Sequence, residues 1–184
     1  MMMNHLSDID TTKSVCFFAP KSDVKLTNSY LCPEYHNIFK ALSKLTRELD
    51  NQGFHDFITD GNFGFAPFMG CITDCNSRYH HHMVLNTRKN LPSSLFGTIC
   101  RATSVTDISE RYEHEKHTAY TKYQKEANEA MLQNSAVTVV MWKHHLDYNK
   151  YKTTIANMIR QSLEMNHPVI LLDPTTGEYK TIQP

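Results

Sequence analysis

Two apolar runs near the end of the chain limit its fold more than any other feature. They are Ala136-Val137-Thr138-Val139-Val140-Met141-Trp142 and Pro168-Val169-Ile170-Leu171-Leu172. Neither alternates apolar with polar residues. A strand with one wet face alternates, whereas a strand covered on both faces does not. Both runs therefore read as strands inside a sheet with helices on either side. Between them, Thr153 to Asn166 places Ile155, Ile159 and Leu163 on one face of a helix, with Thr153 as its N-cap. Strand, helix and strand in this order predict a βαβ unit with a right-handed crossover.

The same reasoning runs back to the start. Val15 to Ala19, stopped by Pro20, reads as a buried strand. Tyr35, Ile38, Phe39, Leu42, Leu45 and Leu49 recur at helical spacing, opened by Pro33 and closed by Asn51 and Gly53. Phe54 to Thr59 is a second strand. Ala66 to Asn76 is a short helix with Pro67 in its first turn. His81 to Leu85 and Ala102 to Ile108 are further strands. Tyr120 to Asn134 is a helix with Tyr123, Ala127, Ala130 and Met131 inward, and Gly177 to Gln183 a small extra strand. Residues 86–99 have no clear pattern. Lys21 to Cys32, Asp107 to His117 and Lys143 to Lys152 read as polar loops. The expected fold is α/β, a single doubly wound Rossmann-like domain with a mostly parallel central sheet. It spans residues 14–184, after a loose N-terminal segment 1–13.

Composition narrows the partners. The 184 residues suit one domain, and 19 Lys+Arg balance 19 Asp+Glu. Zero net charge and the absence of a basic-aromatic stripe argue against nucleic acid as a partner. No apolar run approaches the roughly 18 to 20 residues of a membrane span. Met1 to Asp10 holds Asp8 and Asp10 and lacks the layout of a signal peptide, so a cytoplasmic location and no membrane partner are expected. The five cysteines, an odd number, point to free thiols. Cys71 and Cys75 could join His80, His81 or His82 on zinc. However, no second cysteine pair exists, and Cys71 reads as a small core residue. On a strand, His80 and His82 face one side and His81 the other, so the three do not meet on one ion. No metal and no cofactor is assigned.

In an open parallel sheet, ligands bind beyond the carboxyl ends of the strands, near the point where strand order reverses. Pro20 to Ser22, Asp60 to Phe65, Asp107 to His117, Lys143 to Thr154 and Asp173 to Thr176 fall there. The turn Thr59-Asp60-Gly61-Asn62-Phe63-Gly64 opens a helix, so its amides could cradle a phosphate or carboxylate. Lys21, Lys150 and Lys152 are candidate phosphate partners. His144 and His145, just past a strand end, are candidate proton carriers.

Three segments in order carry a family resemblance. Leu42 to Leu45 and Gly53 to Phe65 are similar to a helix, strand and turn whose family pattern is threonine-glycine-glycine-alanine-x-glycine-x-aspartate. Tyr123 to Met131, Ser135 and the strand to Trp142 resemble an arginine-asparagine-x-x-methionine helix, a serine-aspartate turn and a strand ending in tryptophan. Thr153 to Asp173 resembles the helix and final strand after a glycine-glycine-threonine loop. Together they resemble the SLOG superfamily, nearest its YspA/YpsA-like branch, over most of residues 14–175. The resemblance implies a nucleotide-derived small-molecule partner, a homodimer, and a bacterial setting, cellular or phage-encoded; an apolar surface on the weakly patterned 83–100 region could serve the dimer. The location of the pocket that the resemblance implies, taken with the residues at the strand ends, gives an expected ligand set of Lys21, Thr59, Asp60, Gly61, Asn62, Gly64, Asn128, Lys152 and Thr153.

The departures shape the expected function. Asp60 stands where the family has glycine, and Ala127 where it has arginine. Ala19-Pro20-Lys21 replaces glycine-histidine-arginine, and Lys150 to Thr153 replaces most of the glycine-glycine-threonine loop. The glutamate-bearing loop of the phosphoribohydrolase branch is absent from the sequence. A binding module that senses or sequesters a nucleotide-derived ligand is therefore expected over an enzyme. The alternatives are an N-glycoside hydrolase or transferase acting on nucleotides, and a protein-interaction domain with an eroded site. Single-stranded DNA binding, as in the DprA branch, does not suit the neutral charge.

Overall fold

The structure is a computed structural model that describes residues 6, 9–20, 33–61, 64–86, 95–112 and 119–184. The elements in chain order are β1 (Ser14–Phe18), α1 (Pro33–Asn51), β2 (Asp56–Asp60), α2 (Ala66–Asp74), β3 (His80–Leu85), α3 (Phe96–Arg101), β4 (Ser104–Asp107), α4 (Ala119–Gln133), β5 (Val137–Met141), α5 (Thr154–Glu164), β6 (Val169–Leu172) and β7 (Tyr179–Ile182). The seven strands form one sheet in the order β4-β3-β2-β1-β5-β6-β7. Every neighbouring pair is parallel except β6 with β7, which is antiparallel. The fold is the expected α/β, Rossmann-like domain. The chain builds outward from β1 to β4, then returns to lay β5 on the other side of β1, so strand order reverses between β1 and β5.

Period-two alternation assigns each strand residue to a layer. Val15 and Phe17, Phe57, Val137, Val139 and Met141 pack on one face against Leu42, Leu45 and Leu49 of α1 and Phe68 and Met69 of α2. Cys16, Phe18, Ile58 and Val84 pack on the other against Ala127 and Met131 of α4 and Met158 of α5. Val140, Val169 and Leu171 meet Ala156 and Ile159 of α5. All residues of β1, β5 and β6 are buried, including Val139 and Ile170, which pair in register. Phe17 anchors the first layer, edge-on to Phe57 at 6.1 Å and to Phe65 at 5.5 Å. Each such ring removed from water contributes roughly 1.5–3 kcal/mol.

Some expectations shift. Cys71 lies on α2 but is exposed, on the solvent side of a helix whose buried face is Phe68, Met69 and Ile72. The unpatterned stretch 86–99 contains the start of α3. That helix packs on α2 where Gly70 meets Thr98, and a Cβ at Gly70 would lie 2.9 Å from Thr98 Cγ2. Residues 87–94 of that stretch and the loop at Lys21 to Cys32 lie outside the described residues. Phe96 of α3 is 56% exposed. Two of the expected loops hold a 3₁₀ turn, Ile108–Tyr112 and Tyr148–Lys150, and residues 113–117 of the first lie outside the described residues. Among the described residues, no helix is long and apolar enough to cross a membrane.

The centre of β1 has a chemical consequence. Burial pushes the Cys16 thiol up to about 11, although Ser135 Oγ donates to its sulfur at 3.1 Å and the thiol itself lies 3.5 Å from Thr138 Oγ1. The reactive thiolate is therefore scarce there and shielded. At about pH 8, where free cysteines alkylate readily, native protein treated with iodoacetamide should carry label at the exposed Cys71, Cys75 and Cys100. Cys16 should stay unmodified until denaturant is added. Peptide mass mapping reads this, and label on Cys16 at a similar rate in native protein would contradict the packing.

Candidate functional site

Strand order reverses between β1 and β5, so the chain leaves their carboxyl ends in opposite directions and a gap opens. A cavity of about 470 Å³ occupies it. Phe18, Ala19 and Pro20 at the end of β1 form one side. Met141, Trp142 and Lys143 at the end of β5 form the other. Asp60 closes β2, Gln124 and Asn128 project from α4, and Thr153, Thr154 and Ile155 open α5. That volume lies in the range of ordinary small-molecule pockets.

The loop after β5 is fastened rather than loose. Trp142 Nε1 donates to the Leu146 carbonyl at 2.9 Å. Arg160 Nη1 donates to the Tyr148 carbonyl at 2.9 Å and the Tyr151 carbonyl at 3.2 Å. These bonds hold the Tyr151 ring edge-on to Trp142 with centroids 5.6 Å apart, and both residues line the cavity. Thr153 Oγ1 accepts from the Ala156 amide at 3.2 Å, the predicted N-cap. That bond satisfies one first-turn donor. The Thr154 and Ile155 amides, earlier in the turn, have no intrahelical carbonyl to bind, and both residues border the cavity.

A polar chain crosses the opposite wall. Asn86 Nδ2 donates to Gln124 Oε1 at 2.6 Å, and Gln124 Nε2 donates to Asn128 Oδ1 at 2.9 Å. Asn128 is buried and its amide is held in one orientation. Asp60 is also buried, at 6% exposure, so the cavity presents a carboxylate, an amide pair, the Lys143 ammonium and a helix N-terminus around an aromatic wall. Such a set can receive a molecule with an anionic group, hydroxyls and a planar part.

Asp60, Asn128 and Thr153 of the predicted set line the cavity. Thr59 does not: it alternates onto the other layer, where its hydroxyl bonds His81 Nε2 at 2.8 Å. Burial holds that imidazole neutral, pushed down to about 3, with neighbouring His82 adding to the effect. Gly61 is half-buried beside Asp60 and does not line the cavity. Lys152 is exposed and also stands apart from it, and Lys150 pairs with Asp147 at 3.7 Å. Lys21 and Asn62 lie outside the described residues. His144 is used in the framework. Its amide donates to Asp173 Oδ2 at 2.8 Å and its Nε2 donates to the Leu171 carbonyl at 2.9 Å. His145 is exposed. Sequence reasoning missed Lys143, Tyr151 and Gln124 as site residues. Gln124 could have been found, because it stands one helical turn before Asn128 on the same face.

Gly64 has a packing role that its motif position does not reveal. A Cβ there would lie 2.3 Å from Ala19 Cβ, so the turn after β2 approaches the end of β1 more closely than any side chain permits. Gly64→Ala should lower stability by about 1–3 kcal/mol, as overpacked sites do. The double change Gly64→Ala with Ala19→Gly should recover most of the loss. Urea unfolding of the three variants checks this; a neutral single change would refute the close approach.

With this geometry in view, comparison adds no relative: no protein-family model and no curated protein matches the chain.

Proposed function

We propose that the chain is a binding module that senses or sequesters a nucleotide-derived ligand in the cavity between β1 and β5. The observation that carries the reading is the meeting, at the reversal of strand order, of an α5 N-terminus, the buried Asp60 and Asn128, and the Trp142–Tyr151 wall. An anionic phosphate suits the Thr154 and Ile155 amides with Lys143 beside them. Ribose hydroxyls suit Asp60, and a base suits the aromatic wall. The resemblance to SLOG segments, whose helix places an asparagine at the position of Asn128, supports the same choice.

Binding is favoured over turnover because Asp60 is the one carboxylate among the described residues that line the cavity. Two-carboxylate glycoside cleavage needs an acid and a second acidic group across the bond. The competing reading is N-glycoside hydrolysis with Asp60 stabilising an oxocarbenium-like centre. It predicts release of free base.

Calorimetric titration with adenine and guanine nucleotides, NAD, ADP-ribose and cyclic dinucleotides tests the proposal. At least one should bind with Kd below about 1 mM. Asn128→Leu and Asp60→Asn should each weaken that ligand about tenfold or more, the scale of one lost buried polar contact. The bound nucleotide should be recovered intact by chromatography. Failure of the whole panel with wild-type protein ends the reading; free base in the eluate replaces it with the hydrolytic one.

A further inference from the structure

At the other end of the sheet, three side chains converge for which neither the fold nor the cavity gives a use. We propose that Asp56, His80 and His82 bind a divalent transition-metal ion, zinc in the first instance, at the amino-terminal rim of β2 and β3. Parallel pairing sets Asp56 beside His80 and Ile58 beside His82, and alternation turns all three polar residues onto the α4 side. Asp56 Oδ1 lies 3.1 Å from His80 Nδ1 and 2.9 Å from His82 Nε2. All three candidate ligand atoms lie within 4.8 Å of one another.

That spacing suits an ion. Zinc–nitrogen bonds near 2.0–2.1 Å place tetrahedral ligands about 3.3 Å apart. The two separations from Asp56 Oδ1, 3.1 and 2.9 Å, fall a few tenths of an ångström short of this, and the exposed His80 ring is the group that adjusts to complete the set. His82 is also braced as metal-bound histidines are. Its Nδ1 lies 2.7 Å from Ser104 Oγ on β4, in register with it. In the loaded site His82 carries its proton on Nδ1, donates it to Ser104 Oγ and keeps Nε2 for the ion. The serine hydroxyl accepts there and donates when the tautomer is reversed, so the ring does not turn.

Exposure gives the site a direction. The His82 side chain is 6% exposed and that of Asp56 17%, but that of His80 is 48% exposed. Three protein ligands with an open solvent side leave a fourth position for water, as in open zinc sites. Two imidazoles and one carboxylate select late first-row ions over magnesium or calcium.

The test uses the 184-residue chain carrying Cys32→Ser, Cys71→Ser, Cys75→Ser and Cys100→Ser, which leaves the buried Cys16 as its one thiol. Equilibrium dialysis against zinc should give about one ion per chain with micromolar or tighter affinity, and zinc should raise the melting temperature. His80→Ala, which alters an exposed side chain, should weaken binding at least tenfold and abolish the melting shift. Asp56→Asn should do the same while keeping the shape of the side chain. Cobalt(II) should develop a d–d spectrum in the parent and lose it in both variants. No zinc binding by the parent at about 100 μM, far above the Kd expected, or equal binding by the parent and His80→Ala, would overturn the proposal. Neither outcome depends on the nucleotide cavity.

Discussion

The burial of β1 on every side is the constraint from which the rest of the structure follows. Its five residues, Ser14 to Phe18, have a strand on each edge and a helical layer on each face. Alternate residues feed two separate cores, Phe17 into one and Phe18 into the other. Ser14 Oγ donates to the Asn134 carbonyl and so ties the entry of β1 to the end of α4. With β1 fixed in the middle, β2 and β5 must flank it, and their connections must leave on opposite sides. The cavity is the space this divergence leaves, and Gly64 and Ala19 set how closely its first wall closes.

Periodicity made the layers legible but not their neighbours. The runs at Val137 and Val169 announced two-sided burial, and the helical spacing of Ile38 to Leu49 announced α1. Strand order could not be read in the same way, because each strand carries the same signal of burial wherever it pairs. α3 escaped notice because six residues are too few to show a helical stripe. Cys71 misled because a small apolar residue among apolar neighbours fits either face of a short helix.

The site divides along a similar line. Thr59 and Asp60 are adjacent in sequence, yet one lies in the α1 and α2 layer and the other borders the cavity. A motif names both, and the pleat separates them. Lys152 and Lys143 show the reverse problem. Both lie in one polar loop, and only the fastening of that loop by Trp142 and Arg160 decides which borders the cavity. The cluster at the other end was half visible. Alternation put His80 and His82 together, but the third group comes from β2, and strand pairing, which brings Asp56 to them, leaves no trace in a single sequence.

The antiparallel final strand also bears on how the protein behaves in concentrated solution. A parallel sheet grown by repeated strand-helix units has no internal stop, and an apolar strand such as β6 left at its rim would template another chain. β7 occupies that position with four residues, its Lys180 exposed. It is moored to α1 by the Tyr179 hydroxyl, which donates to Glu48 Oε2 at 2.5 Å, and by Lys44 over the Tyr179 ring. The opposite rim is the equally short β4. The most aggregation-prone segments of the chain are thus enclosed by short end strands, and the molecule can hold continuous aliphatic strands without presenting one to its neighbours.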